Sequence, residues 1–142
     1  MTRHAAVVDT MVFAYYLLGV EQHREYAAAA FERLDEVWVP DSLRAELVNV
    51  VWQWSRKGGV SPDIASSALS DGEALIDYAV STELLWGRAL ELALDRNHPA
   101  YDTLFVALAE RKGLPLLTSD KKLLARFPEL ALHPEAYLER SG

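Results

Sequence analysis

The sequence predicts a three-layer α/β/α fold, a parallel sheet with helices packed on both faces, and three observations predict it. Short apolar, partly β-branched runs such as Ala5-Ala6-Val7-Val8 and Val37-Trp38-Val39 alternate with longer amphipathic stretches, the order in which crossover helices join parallel strands. These runs are apolar throughout, as strands buried on both faces must be. The 142 residues, 51% of them hydrophobic, suit one domain spanning 1–142 and show no repeat or linker.

Taken in order, Ala5 to Val8 is a buried strand that delivers Asp9 at its carboxyl end. Met11 to Leu18 is a short apolar helix stopped near Gly19. Gln22 to Asp35 carries Ala27, Ala30, Phe31 and Leu34 at helical spacing. Val37 to Val39 is the second strand, closed by Pro40. Asp41 or Ser42 is placed to cap the next helix, whose Leu43, Leu47, Val50, Val51 and Trp54 form one stripe up to Gly58-Gly59. Ser61-Pro62 opens a further helix, with a weak spot at Asp71-Gly72 that leaves one helix or two. A third strand falls around Tyr78 to Ser81, and Leu84 to Arg96 is amphipathic until Asn97-His98-Pro99 breaks it. The central helix follows, then the Leu116-Leu117 strand, a short helix from Lys121 to Phe127, and an edge strand at Leu130 to Leu132. The tail to Gly142 reads as peripheral.

Asp102 is the most informative residue of this pattern. At 100° per residue it falls among Phe105, Val106 and Ala109, in the stripe that faces the core. Burying an unpaired carboxylate is costly, so it needs a cap, a cationic partner or a metal ion. Glu46, beside Leu43 and Val50, is a second carboxylate facing inward. Open parallel sheets bind ligands beyond the carboxyl ends of their strands. Asp9 and Asp120 lie at such ends, Asp102 opens a helix, and Glu46 lies early in the helix after the second strand, so all four can point into one crevice. Two carboxylates about 4 Å apart repel by roughly 4 kcal/mol at an effective dielectric near 20. A cluster of four therefore wants divalent cations, and an all-oxygen set without cysteine selects Mg²⁺ or Mn²⁺ over zinc. Such a site leaves room for a phosphate oxygen and an attacking water, the logic of two-metal phosphodiester hydrolysis.

The totals bound the partners. Fourteen basic and twenty-one acidic side chains give a net charge of −7, which argues against holding nucleic acid by bulk charge. No apolar run approaches the roughly 20 residues that span a bilayer, and the apolar run before Asp9 is too short for a secretory signal. With no cysteine, a cytoplasmic protein that meets no membrane is expected.

Val7-Val8-Asp9-Thr10, Leu43-Arg44-Ala45-Glu46-Leu47-Val48-Asn49-Val50, Tyr101-Asp102-Thr103-Leu104 and Leu117-Thr118-Ser119-Asp120 resemble, in that order, the four acidic motifs of PIN-domain ribonucleases. Length and order also resemble the VapC-type toxins of toxin–antitoxin pairs. The resemblance covers nearly the whole chain and implies a five-stranded parallel sheet, Mg²⁺- or Mn²⁺-dependent endoribonuclease activity on RNA, a homodimer, and a small antitoxin whose C-terminal segment covers the crevice. By the same resemblance Asp9 and Asp102 are the principal metal ligands, Glu46 and Asp120 complete the site, and Thr118 orients a ligand or the water. Thr10 and Asn49 are weaker supporting candidates, and Met11 departs from the small residue often found after Asp-Thr.

Each of these residues also has an ordinary reading. Asp9, Asp102 and Asp120 suit helix caps or first turns, and Glu46 is within reach of Arg44. His98 is placed either to touch substrate near the site or, as a loop histidine, to be solvated, and Lys121, Lys122 and Arg126 form a solvated face or a phosphate-holding rim. Trp52 and Trp54 cannot share a helix face, so one should leave the core for a partner surface or pack under a loop. Ser119 lacks recognisable triad partners. A receiver-type phospho-acceptor domain and a catalytically silent interaction module are the competing functions; the first wants paired acids after the first strand, where Asp9 is followed by Thr10.

Overall fold

The computed structural model describes residues 3–141, so Gly142 of the tail lies outside the described residues. Strand β1 (Ala5–Val8) is buried from Ala6 onward and pairs in parallel with β2 (Glu36–Pro40) on one side and β4 (Leu116–Leu117) on the other, with Ala6 opposite Val37 and Val8 opposite Leu117. Edge strands β3 (Tyr78–Val80) and β5 (Ala131–Leu132) complete a five-stranded parallel sheet of order β3-β2-β1-β4-β5.

The helices are α1 (Thr10–Leu18), α2 (Glu21–Arg33), α3 (Leu43–Arg56), α4 (Pro62–Leu75), α5 (Thr82–Arg96), α6 (Ala100–Lys112), α7 (Lys121–Arg126) and α8 (Pro134–Ser141). Helix α6 is buried continuously from Thr103 to Ala109, because it lies across β1, β2 and β4 and is covered by α5; a helix apolar all round is a core helix. Its one polar core residue, Thr103, donates its hydroxyl to the Ala89 carbonyl at 2.7 Å. Alternation along β1 sends Ala6 the other way, into a cluster with Ala30 of α2, Leu117 and Tyr137 of α8. No described helix is long and apolar enough to cross a membrane.

Two sequence expectations are corrected and one ambiguity is resolved. The tail is not peripheral along α8: Tyr137 is buried and Arg33 donates to Ser141 Oγ at 2.7 Å, which closes the sheet face that α2 leaves open. Neither Asp41 nor Ser42 caps α3. Ser42 is already in helical backbone conformation (φ −62°) and makes no capping bond, while Asp41 accepts from the Arg44 guanidinium at 2.8 Å. The weak spot at Asp71-Gly72 lies inside one continuous α4. A Cβ at Gly72 would come within 3.1 Å of Leu47 Cδ2 and 3.2 Å of Leu17 Cδ1, a tight approach that its bare backbone avoids where α4 settles against α3 and α1.

Candidate active site

The chain runs outward from β1 through β2 to β3, then returns to lay β4 and β5 on the opposite side of β1. This reversal opens a crevice beyond the carboxyl ends of β1 and β4, the usual ligand position in such sheets. Asp9 follows β1, Thr118 and Asp120 follow β4, and Glu46 and Asp102 occupy the first turns of α3 and α6.

Asp9 is 6% exposed and caps α1. Its Oδ1 accepts from the Thr10 amide and its Oδ2 from the Thr118 hydroxyl, both at 2.8 Å. The Thr118 oxygen in turn accepts from the Asp120 amide at 3.1 Å, so a relay of hydrogen bonds ties the two strand ends together. Asp120 caps α7 through Oδ1, which accepts from the amides of Lys122 and Leu123 at 2.9 and 3.2 Å. Glu46 Oε2 accepts from the Thr10 hydroxyl at 3.3 Å. Arg44 does not pair with it, because its guanidinium is taken by Asp41 and Glu73. Asp102 caps nothing; its Oδ2 meets His98 Nε2 at 2.7 Å.

Burial raises Asp9 from 3.8 to about 6; the Thr118 hydrogen bond opposes the rise, and the charges of Asp102 and Asp120 add to it. Burial likewise raises Glu46 from 4.5 to about 7, with repulsion from Asp9 and Asp102 behind it. Asp102 is raised by burial against its bond to His98. The four carboxylates thus share one field. Among the described residues none of them forms an ion pair with a lysine or arginine. As they stand, no three described His, Asp or Glu side chains converge closely enough to enclose an ion; each carboxylate leans on its own hydroxyl, amide or imidazole donor. The chemistry of the set nevertheless fits a hard divalent cation: the carboxylates supply only oxygen, and their mutual repulsion is uncompensated.

The remaining candidates divide. Thr10 does reach Glu46, whereas Asn49 is exposed on α3. Lys121 and Lys122 are exposed beside Asp120. Arg126 turns its Nη1 toward the α5–α6 turn, where it donates to the Asn97 carbonyl at 2.8 Å and meets His98 Nδ1 at 2.9 Å. Trp54 packs against the core and Trp52 is 55% exposed, with Arg56 over its ring. His98 differs most from the solvated reading: it is 5% exposed. The four-residue spacing to Asp102 across Pro99 was the available signal, because a helix opening at Pro99 brings those side chains onto one face.

Comparison with known proteins decides the family. The PIN domain family model matches residues 6–130, which include all four carboxylates. Ribonuclease VapC3 of Pyrobaculum aerophilum is 34% identical over 128 residues, 87% of this chain and 95% of that protein. The chain belongs to the PIN-domain family. Solved structures agree on the fold: PAE2754 of Pyrobaculum aerophilum superposes with a TM-score of 0.73 at 23% identity, covering 98% of this chain and 89% of that one. A toxin–antitoxin complex from Klebsiella pneumoniae gives 0.64 at 18% identity over 91% and 97% of the two chains, and VapBC2 of Rickettsia felis, bound to a promoter DNA fragment, 0.62 at 14% over 91% and 97%. In this PIN domain α8 lies beyond the matched segment, although it seals the sheet.

Proposed function

We propose that the crevice is the active centre of a divalent-cation-dependent endoribonuclease and that this chain is the toxin of a VapBC-type toxin–antitoxin pair, working in the cytoplasm. The observation that carries the reading is that four carboxylates stand on the elements bordering the switch point of the sheet, two of them, Asp9 and Glu46, raised and without a cationic partner. The 34% identity to a ribonuclease supports the reaction. Membership of the PIN family displaces the receiver-type alternative.

Asp9, Glu46, Asp102 and Asp120 would hold Mg²⁺ or Mn²⁺. The cation would supply charge neutralisation and Lewis acidity toward a phosphodiester. The chain's own residues do the positioning. Thr118 holds Asp9 Oδ2 and, through the Asp120 amide, fixes the start of α7. Thr10 steers Glu46. Asp120 accepts both of its capping bonds on Oδ1, which directs the other oxygen away from the helix. The exposed Lys121 and Lys122 offer cations beside Asp120 to an RNA backbone that the net charge of −7 would otherwise repel.

A homodimer is part of this reading. Trp86, Leu90 and Tyr101 are each more than half exposed on α5 and the start of α6 and line a hollow of about 400 Å³ together with Ala89 and Leu104. A contiguous apolar face of this kind marks an interface, and we assign it to a second copy. An antitoxin would then be left the acidic crevice. Trp86→Glu is expected to give a monomer by light scattering; an unchanged mass would remove the assignment.

The decisive assay incubates the purified chain with labelled RNA and Mn²⁺ or Mg²⁺, with and without chelator. Cleavage in the presence of cation only is expected. Undiminished cleavage in chelator overturns the proposal, and failure to bind Mn²⁺ by calorimetry would favour the silent interaction module.

A further inference from the structure

We propose that His98 is a positioning residue for Asp102: Arg126 fixes its tautomer, and its Nε2–H orients the Asp102 carboxylate toward the crevice without neutralising it. The proposal builds on the nuclease reading but stands on its own geometry.

The side chain of His98 is 2% exposed, in the turn between α5 and α6. That turn is made by Asn97, which closes α5 in the left-handed conformation (φ 52°), and by Pro99, whose carbonyl accepts from the Asp102 and Thr103 amides as α6 begins. The backbone amide of His98 donates to the Ala93 carbonyl at 3.1 Å, which ties the turn to the end of α5. Both ring nitrogens are engaged, Nε2 to Asp102 Oδ2 at 2.7 Å and Nδ1 to Arg126 Nη1 at 2.9 Å.

This pair of contacts determines where the ring proton resides. A guanidinium has only donors, so the nitrogen facing Arg126 must be the bare, accepting one. The proton is therefore on Nε2, and Asp102 receives a hydrogen bond from a neutral ring. A lysine or arginine at the same place would cancel the charge a cation needs; a neutral donor aligns the carboxylate and leaves its charge in place. Imidazole and carboxylate pairs of this kind set ligand orientation in metal sites, here with the roles of ligand and supporting group exchanged.

Arg126 is itself braced. It also donates to the Asn97 carbonyl, while Arg96 donates to the Arg126 carbonyl, pairs with Glu129 at 2.9 Å and lies over the Phe127 ring. Arg126 stands in the last turn of α7 and Asp120 caps its first turn. Helix α7, about 9 Å long at 1.5 Å per residue, is thus a strut: one end carries Asp120 and the other, through Arg126 and His98, sets Asp102.

Two measurements test this. Long-range ¹⁵N–¹H spectra of the metal-free wild type should show His98 as the Nε2–H tautomer, and Arg126→Gln should introduce the other tautomer; Nδ1–H in the wild type overturns the proposal. Mn²⁺ titration calorimetry is then compared for His98→Ala, His98→Asn and His98→Gln, with circular dichroism as the folding check. Glutamine can present its oxygen to Arg126 and its amide to Asp102, whereas asparagine is too short to reach Asp102. Affinity should fall about 10-fold in the alanine and asparagine variants and stay within about 3-fold of wild type in the glutamine variant, in line with other groups that support metal ligands. RNA cleavage should lose kcat with KM held. Equal Mn²⁺ affinity in all three variants, or equal loss in all three, overturns the positioning role while leaving the nuclease reading intact. If the wild type takes up no Mn²⁺ the nuclease reading falls, and the tautomer alone decides whether Arg126 and His98 orient Asp102. Should the alanine variant not fold, the asparagine and glutamine pair makes the same distinction.

Discussion

The carboxylates of this molecule fall into two populations that are treated in opposite ways. On the outer surface Glu73, Glu110 and Glu129 each meet an arginine, Arg44, Arg88 or Arg96, at 2.7–2.9 Å, and hydrogen bonds lower all three below the ordinary glutamate value, the Arg44 and Arg88 guanidinium groups acting on Glu73 and Glu110 and its own backbone amide followed by Arg96 on Glu129. In the crevice Asp9, Glu46 and Asp102 meet only hydroxyls, an amide and an imidazole, and all three are raised. Where the chain has cations to place it puts them on the exposed face. The buried acids are left with groups that aim them but do not discharge them, which is the condition of a site that receives its positive charge from outside.

The most severe way to break this contrast is to remove a buried charge. Asp9→Asn or Asp102→Asn should lower Mn²⁺-dependent RNA cleavage at least ~100-fold, the upper range that supporting groups alone reach, with the fold retained by circular dichroism. Full activity in either variant would dissolve the contrast. A smaller effect appears in the pH dependence of stability. Glu46 binds its proton more tightly folded (about 7) than unfolded (4.5), so folding is favoured by that proton below about pH 4.5 and the advantage is lost as pH rises through 7. Glu46→Gln should therefore be more stable than wild type at pH 8 without divalent cation, by about 1 kcal/mol once solvent screening at this partly exposed group is allowed for. The two should converge near pH 4 in urea titrations, and added Mn²⁺ should reverse the order at pH 8. The surface pair gives the smallest effect and the opposite sign. Glu73 is lowered by Arg44, so its contribution is present above its unfolded value and is lost as pH falls. Glu73→Gln should cost no more than about 0.5 kcal/mol at pH 7, as exposed pairs do, and nothing at pH 2.

Much of the fold was legible because buried parallel strands and core helices leave strong local marks. Ala5 to Val8 and the apolar α6 could hardly be read otherwise, and the positions of Asp9, Glu46, Asp102 and Asp120 followed from where those elements end. Partnerships were not legible. Whether Arg44 turns to Glu46 or to Glu73 depends on how α4 docks on α3, a packing no local pattern in either helix reveals. The importance of His98 depends on Arg126, 28 residues further on and in another element. Helix α8 carries mostly polar residues, and its single buried aromatic, Tyr137, becomes core only because α2 leaves a gap for it. The aspartates suit both a cap and a ligand in the sequence, and capping does not use up the side chain: Asp9 and Asp120 cap α1 and α7 from the strand ends that border the crevice.

The strand order has a consequence for the order of events during synthesis. The innermost strand is the first one made, yet the neighbour that completes its far side comes more than a hundred residues later, and the Thr118 to Asp9 hydrogen bond spans 109 positions. Pairings of such long range form late and slowly. A nascent chain therefore holds Asp9 and Glu46 long before Asp120 exists to join them, and the acidic crevice of this PIN domain is assembled only once β4 has been laid against β1.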